Sequence, residues 1–231
     1  MPGTGTWWVT EWLDRGGPVF VFSWVVWVIG SICLHELSHG WTAIRHGDRT
    51  PIETGHMTWN PLVHMGVPSL LMFTLVGLAW GAMPVNPSRM RGRYAELKVA
   101  AAGPLMNVGL ALAAVAGAVA VTAIVRDGTL TQGARAQTTA ENFLVFFVLG
   151  AGLNIALAVF NLLPIPPLDG WRMACALSPS VRRAFGSAGG SAVGLALLIA
   201  VFLFGAGPLF RFAFGAATRL IVAGAGLAGL R

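Results

Sequence analysis

Residues 19–34, VFVFSWVVWVIGSICL, run for sixteen positions without a charged side chain or a proline. As a helix rising 1.5 Å per residue, this run covers about 24 Å of a hydrocarbon core about 30 Å thick. Its backbone polar groups must then be satisfied internally, and only a protein core or a bilayer suits its side chains. Composition decides between the two. Hydrophobic residues make up 55% of the 231 and charged residues 10%, against about 25% charged in an ordinary soluble domain. Mean hydropathy is +0.71. Too few polar side chains exist to cover such a chain in water, so it reads as a membrane protein.

Three further stretches are apolar and close to the ~20 residues that a bilayer crossing needs. With the first they run Val19–Ile44, Leu97–Val125, Asn142–Leu163 and Gly190–Phe210. A fifth, Val67–Met83, is short and bracketed by Pro61, Pro68 and Pro84. A sixth, Phe212–Leu230, is rich in Gly and Ala, carries Arg219, and reads equally as a last span or a surface helix. Residues 45–65 contain turn formers and short apolar pairs compatible with a small β-hairpin. The expected fold is an all-α polytopic membrane protein, one domain over residues 1–231. It would have about four to six transmembrane or membrane-inserted helices, and a small β-hairpin or re-entrant region after the first.

The net charge of +6 and pI near 11.0 do not indicate nucleic acid. With charges this sparse, the surplus is topological, because Lys and Arg collect on cytoplasmic loops. Cys33 and Cys175 are the only cysteines, too few for a disulfide framework, and both are read as reduced thiols. Glu11, Asp14 and Arg15 give the N-terminus no basic region of the signal-peptide kind. Trp7, Trp8 and Trp12 suggest an aromatic belt at a membrane interface.

The first apolar run leads directly into His35-Glu36-Leu37-Ser38-His39, an H-E-x-x-H motif. On a helix the two imidazoles stand about 40° apart on one face and can share one zinc, with the glutamate beside them as general base. A soluble helix can carry such residues on a solvated face for no chemical reason. Here they follow about 24 Å of apolar helix and remain at membrane depth, where ionisable groups are costly and usually functional. A catalytic zinc generally takes a third protein ligand. Asp169, in Asn161-Leu-Leu-Pro-Ile-Pro-Pro-Leu-Asp169-Gly170, stands out among four Asp and five Glu. Alone it reads as an Asp-Gly turn closing a helix; beside an intramembrane H-E-x-x-H it becomes the candidate ligand. His46 lies about 10 Å further along the helix axis, beyond reach of the same metal. His56 and His64 are expected to be structural.

These motifs together resemble the site-2 protease family of intramembrane zinc metalloproteases. H-E-x-x-H on an early span and N-x-x-P-x-P-x-L-D-G after a later one carry the likeness. Gly103-Pro-Leu-Met-Asn107 is similar to that family's G-x-x-x-N element, and Asn60-Pro-Leu and Pro84-Val-Asn86-Pro87 are similar to stretches of its compact prokaryotic members. The resemblance covers roughly residues 19–175, with further C-terminal helices over 190–230. It implies His35, His39 and Asp169 as ligands of one Zn2+ per chain, and Glu36 as catalytic base. Asn107 and Asn161 would lie near the substrate backbone or the oxyanion. The implied partners are a membrane-protein substrate and the lipid bilayer. The connection 126–141 is too short for the PDZ domain that many relatives carry.

Charge and topology agree with a shared site. His35 and Asp169 meet only if both helix ends lie on one side. Placing Arg45, Arg49, the basic stretch 84–98 and Arg172, Arg182 and Arg183 in the cytoplasm obeys the positive-inside rule. It also requires that Val67–Met83 not cross fully, which suits a re-entrant or partly inserted hairpin. The expected activity is zinc-assisted hydrolysis of peptide bonds in or near transmembrane segments, where local unwinding of the substrate helix would be needed. Ala, Gly and Arg usage suggests a prokaryotic inner membrane. A metal transporter and a catalytically silent scaffold are the alternatives. Transport would spread polar groups across the bilayer, whereas here they cluster at one depth. The sequence leaves oligomeric state open.

Overall fold

The computed structural model describes residues 7–127, 134–178, 180, 181, 183 and 188–229. Arg182, one of the expected cytoplasmic charges, and Leu230, the end of the sixth stretch, lie outside the described residues. The long helices are α1 (Trp8–Arg45), α3 (Pro61–Val76), α4 (Ala95–Arg126) and α5 (Ala134–Asn161). A single helical turn, α2 (Thr50–Glu53), lies between α1 and α3, and α6 (Asp169–Leu177) follows α5. The chain ends in α7 (Ala188–Ala200) and α8 (Ala206–Leu227), joined by a π-helical turn over Val201–Gly205. Among the described residues, four helical runs are long and apolar enough to cross a membrane: Trp8–Arg45, Ala95–Arg126, Arg135–Asn161 and Ala192–Leu227.

Helix α1 is two helices meeting at Gly17, whose φ of 74° only glycine adopts freely, with Pro18 opening the second. The second of these helices therefore begins at Pro18, one residue before the expected start of the apolar stretch. Its neighbours are α4 and α5, and α8 packs against both. One core cluster joins Val28 and Ile32 of α1, Met65 and Phe73 of α3, and Leu153 of α5. A second joins Ala114, Ala151 and Ala217 of α4, α5 and α8, where methyl-sized side chains let backbones approach closely. At Gly150 the contact is closest: the Trp27 ring fills the place a Cβ would take, and its indole N–H donates to the Phe146 carbonyl at 2.8 Å.

The β-hairpin expected over residues 45–65 does not form, and no strand occurs among the described residues. Local capping wins over pairing. Asp48 Oδ1 accepts from the Thr50 N–H at 3.0 Å and from its hydroxyl at 2.6 Å, and Asn60 Oδ1 accepts from the Leu62 N–H at 3.0 Å. Pro51 and Pro61, which have no N–H to give a ladder, sit in the first turns of α2 and α3.

Helix α3 is the outgoing limb of a helical hairpin. It bends at Gly66 (φ 68°) before Pro68 and ends at Gly77 in the left-handed region (φ 81°), whose N–H caps the Phe73 carbonyl at 2.9 Å. Extended chain then returns along the same helix. Ser69 Oγ donates to the Trp80 carbonyl at 2.7 Å and accepts from the Trp80 N–H at 2.8 Å, and the Ala82 N–H donates to the His64 carbonyl at 2.9 Å. Both feet stand at one place on α1, since Met57 and Met83 pack against Gly40. The tip is held at the opposite end of α1, where the Trp7 and Trp8 indoles donate to the Thr74 carbonyl at 2.7 and 2.9 Å. The segment enters and leaves beside Gly40.

The fourth and sixth apolar stretches also differ from expectation at their junction. Residues 190–210 and 212–230 read as separate helices in the sequence, but α7, the π turn and α8 form one continuous run. Pro208 lacks the N–H that would bond residue 204, and the wide turn just before it absorbs the mismatch. Ala213 and Ala217 are fully buried, so α8 belongs to the bundle rather than lying on its surface.

Candidate metal centre

Two helices supply the candidate ligands. Helix α1 contributes His35, Glu36 and His39, all buried. Helix α6 begins with Asp169, and its carboxylate Oδ2 lies 3.0 Å from His35 Nε2 and 3.3 Å from His39 Nε2. The two Nε2 atoms are 3.1 Å apart. These three residues form the one group of three or more possible ligands found among the described residues.

That triangle fits zinc. Tetrahedral ligands at about 2.0–2.1 Å from a Zn2+ stand roughly 3.3 Å from one another, close to the three observed separations. Asp169 Oδ2 is buried without a hydrogen-bond partner, although two imidazole nitrogens face it. Three electron-pair donors aimed at one point, one of them otherwise orphaned, are what a cation requires.

The outer contacts fix which nitrogen faces inward. His39 Nδ1 donates to the Val99 carbonyl at 2.6 Å, an obligate acceptor, so Nε2 carries the lone pair. His35 Nδ1 lies 2.6 Å from Asn107 Oδ1. Such partners orient imidazole ligands and raise their basicity. Ser38 and Thr42 donate back into α1, to the His35 and Ser38 carbonyls. Gly103 of α4 makes room for both rings, because a Cβ there would collide with His35 and His39.

The loop before Asp169 is equally tight. A side chain at Gly170 would collide with the Leu162 and Leu163 carbonyls, and the Pro166–Pro167 bond is cis. Turns closed by the Ile165 N–H on the Leu163 carbonyl and the Leu168 N–H on the Ile165 carbonyl, both at 2.8 Å, lead into α6, where Asp169 faces α1. Glu36, 7% exposed, lies under the returning limb of the hairpin. A Cβ on Gly81 would stand 2.8 Å from Glu36 Oε1, so only glycine lets the chain pass this close to the carboxylate.

Of the remaining expected residues, Asn107 is fully buried, its oxygen bonded to His35 and its amide N–H donating to Asn154 Oδ1 at 3.0 Å. Asn161 donates to the Leu157 carbonyl of its own helix at 3.0 Å. His46, His56 and His64 bond to the carbonyls of Arg91, Thr54 and Thr58. Sequence reasoning missed Asn154, Gly81 and the Val99 carbonyl. Asn154 had a signal, an amide amid the apolar run 142–163, where polar groups are costly; Gly81 and a main-chain carbonyl had none.

The feet of the hairpin are clamped beside the site. Asp48, fully buried, accepts the Asn86 N–H on Oδ2 at 2.6 Å as well as both Thr50 donors. The Arg91 N–H donates to the His46 carbonyl at 2.7 Å, and Arg89 pairs with Glu53. Burial alone would raise the Asp48 carboxyl. The hydrogen bonds from Thr50 and Asn86, with the charge of Arg89, outweigh it and hold the group below the usual carboxylate range. An open cleft of about 370 Å³ borders this region, lined by Val85, Met90, Glu96, Val99, Trp171 and Arg172 among others.

The comparisons agree with the geometry. "Putative zinc metalloprotease YwhC" of Bacillus subtilis (strain 168) is 33% identical over 163 residues, 69% of this chain and 71% of that protein. "Putative zinc metalloprotease Rip2" of Mycobacterium tuberculosis (strain ATCC 25618 / H37Rv) is 32% identical over 207 residues, 85% of this chain and 71% of that protein. No solved structure matches. The profile of peptidase family M50 matches residues 23–205, and the chain belongs to that family, the site-2 protease family of zinc metalloproteases.

Proposed function

We propose that this metalloprotease is an endopeptidase that cuts membrane proteins in or near their transmembrane segments. Its centre lies near the cytoplasmic face of a prokaryotic cell membrane. The observation that carries this reading is the convergence of His35, His39 and Asp169 on one point, beside Glu36, at the inner end of an apolar span. The basic residues Arg45, Arg49, Arg89, Arg91, Arg93 and Arg172 surround that end of the bundle in sequence, which supports the cytoplasmic side.

In this reading His35, His39 and Asp169 hold the zinc, which lowers the pKa of water and polarises the scissile carbonyl when bound. Glu36 accepts the proton that water loses on attack and returns it to the departing amine. The enclosing helices restrict bulk water, and the cleft bounded by Val99, Glu96 and Arg172 offers a polar approach from the loop side. A substrate helix hides its carbonyls in i→i+4 hydrogen bonds, so it must unwind locally to reach the site. Segments weakened by Gly or Pro suit that requirement.

Glu36→Gln separates this from metal storage or transport. Purified Glu36→Gln protein in detergent or vesicles should keep its zinc and lose about 10²–10⁴-fold in cleavage rate on a membrane-protein substrate. Undiminished cleavage would remove Glu36 from the mechanism, and zinc loss would make it a ligand.

A further inference from the structure

The cleft beside the metal centre does not end at Glu96. A second cavity, about 100 Å³, lies beyond it, bordered by Gly92, Arg93, Ala95 and Ala176. Pro87, Met90 and Glu96 line both cavities, so the two form one groove between residues 85–96 and α6. Its inner end reaches Val99, whose carbonyl holds His39.

Charge is uneven along this groove. Arg172 borders only the inner cavity and Arg93 only the outer one, and the Arg93 guanidinium lies over the Tyr94 ring, 5.1 Å from its centroid. Among the described residues, Glu96 is the one carboxylate in the groove, and it stands where the two cavities meet. We infer that the outer cavity is a subsite for a lysine or arginine side chain of the substrate, selected by Glu96. The inference rests on the proposed endopeptidase reading and on the cytoplasmic placement of the site. A membrane protein gathers Lys and Arg where its chain leaves the bilayer on that side, so a substrate cut there brings basic residues within reach. The charged ends of those side chains are donors alone, and a carboxylate is the strongest acceptor they can meet. Arg172 repels a like charge from the inner cavity, which leaves the outer one for the cation.

Spacing fixes which substrate residue is read. Glu96 lies three residues before Val99 in the sequence, about 4.5 Å along the axis of α4. The His39 ring separates the Val99 carbonyl from the point where the ligands converge. Together these put Glu96 on the order of 10 Å from the reacting carbonyl, about three residues of extended chain at ~3.3 Å each. The basic residue should therefore stand about two to four positions from the cut bond.

The test presents the full-length, zinc-loaded chain in vesicles with single-span reporter proteins. Each reporter carries a Gly-Pro pair in its transmembrane segment and a cytoplasmic flank of randomised sequence. Mass spectrometry reads the cut position in every product. Wild-type products should be enriched about tenfold in Lys or Arg at one fixed position, about two to four residues from the cut. Glu96→Gln should abolish that enrichment. Glu96→Lys should turn it toward Asp or Glu at the same position, a gain that misfolding cannot produce. Products without a positional preference, or a preference unchanged in both variants, would overturn the subsite and leave the endopeptidase reading standing. No cleavage of any reporter by the wild type would overturn the endopeptidase reading itself, and the subsite with it.

Discussion

At Gly103 the lack of a side chain decides whether two imidazoles can converge. A methyl group there would collide with the Nε2 atoms of both His35 and His39, and neither ring can retreat, because Asn107 and Val99 hold the far nitrogens. Overpacking a site of this kind costs about 1–3 kcal/mol. Gly103→Ala should therefore weaken zinc binding roughly tenfold or more while the helices still form, measurable by competition against a zinc-selective dye. Unchanged affinity would mean that the rings have freedom the contacts deny them. At this scale the sequence was informative where residue type carried the chemistry. His35, Glu36 and His39 are legible because ionisable groups at membrane depth need a reason, and Asp169 because carboxylates are few and it follows an apolar run in a chain that already carries H-E-x-x-H. Gly81 and the Val99 carbonyl are not, since a glycine among aromatic and apolar residues and a backbone oxygen carry no signature until the chain is folded.

Among the elements, the helical hairpin between α1 and α4 depends on its feet. Asp48 ties the end of α1 to Asn86 on the returning limb, and that limb passes Gly81 over Glu36. Asp48→Asn would replace a charge-assisted acceptor with an amide and cost about 1–3 kcal/mol near neutral pH. The carboxyl titrates below its ordinary value in the folded protein. Its contribution is therefore complete above the unfolded value of about 3.9 and is lost as the pH falls through the lower, folded value. The stability gap between wild type and variant should narrow below about pH 4, as followed by thermal melts in detergent. A gap independent of pH would show that the charge of Asp48 is not what the clamp uses. The expectation of a β-hairpin near this element failed for a local reason. Asp48 and Asn60 satisfy nearby N–H groups themselves, and Pro51 and Pro61 cannot join a ladder but suit a first helical turn. Turn-forming residues marked the chain reversals correctly and said nothing about what lay between them.

Over the whole molecule, long apolar runs made the four candidate spans readable, and the shortness and flanking prolines of Val67–Met83 marked it off from them. The fusion of the last two stretches was not readable, because Gly207-Pro208 reads as a breaker in the sequence, whereas the wide turn over Val201–Gly205 just before it lets the helix continue. The topology predicts that cysteines introduced at Arg89 and Arg135 stand on opposite sides of the membrane. In a background where Cys33 and Cys175 are replaced, a membrane-impermeant maleimide should label Arg135→Cys from outside intact cells and Arg89→Cys only after permeabilisation. Labelling of both from one side would break the arrangement of four spans and one re-entrant hairpin.

The proposed metal shared between α1 and α6 ties the site to the topology, and the zinc content of purified protein, wild type beside His35→Ala and Asp169→Ala, probes it without intermediaries. About one zinc per wild-type chain is expected, lost or strongly weakened in both variants, because each removes one corner of the same triangle. Full zinc retention in Asp169→Ala would refute the shared centre and leave the carboxylate at the start of α6 as a helix-closing turn with no part in it.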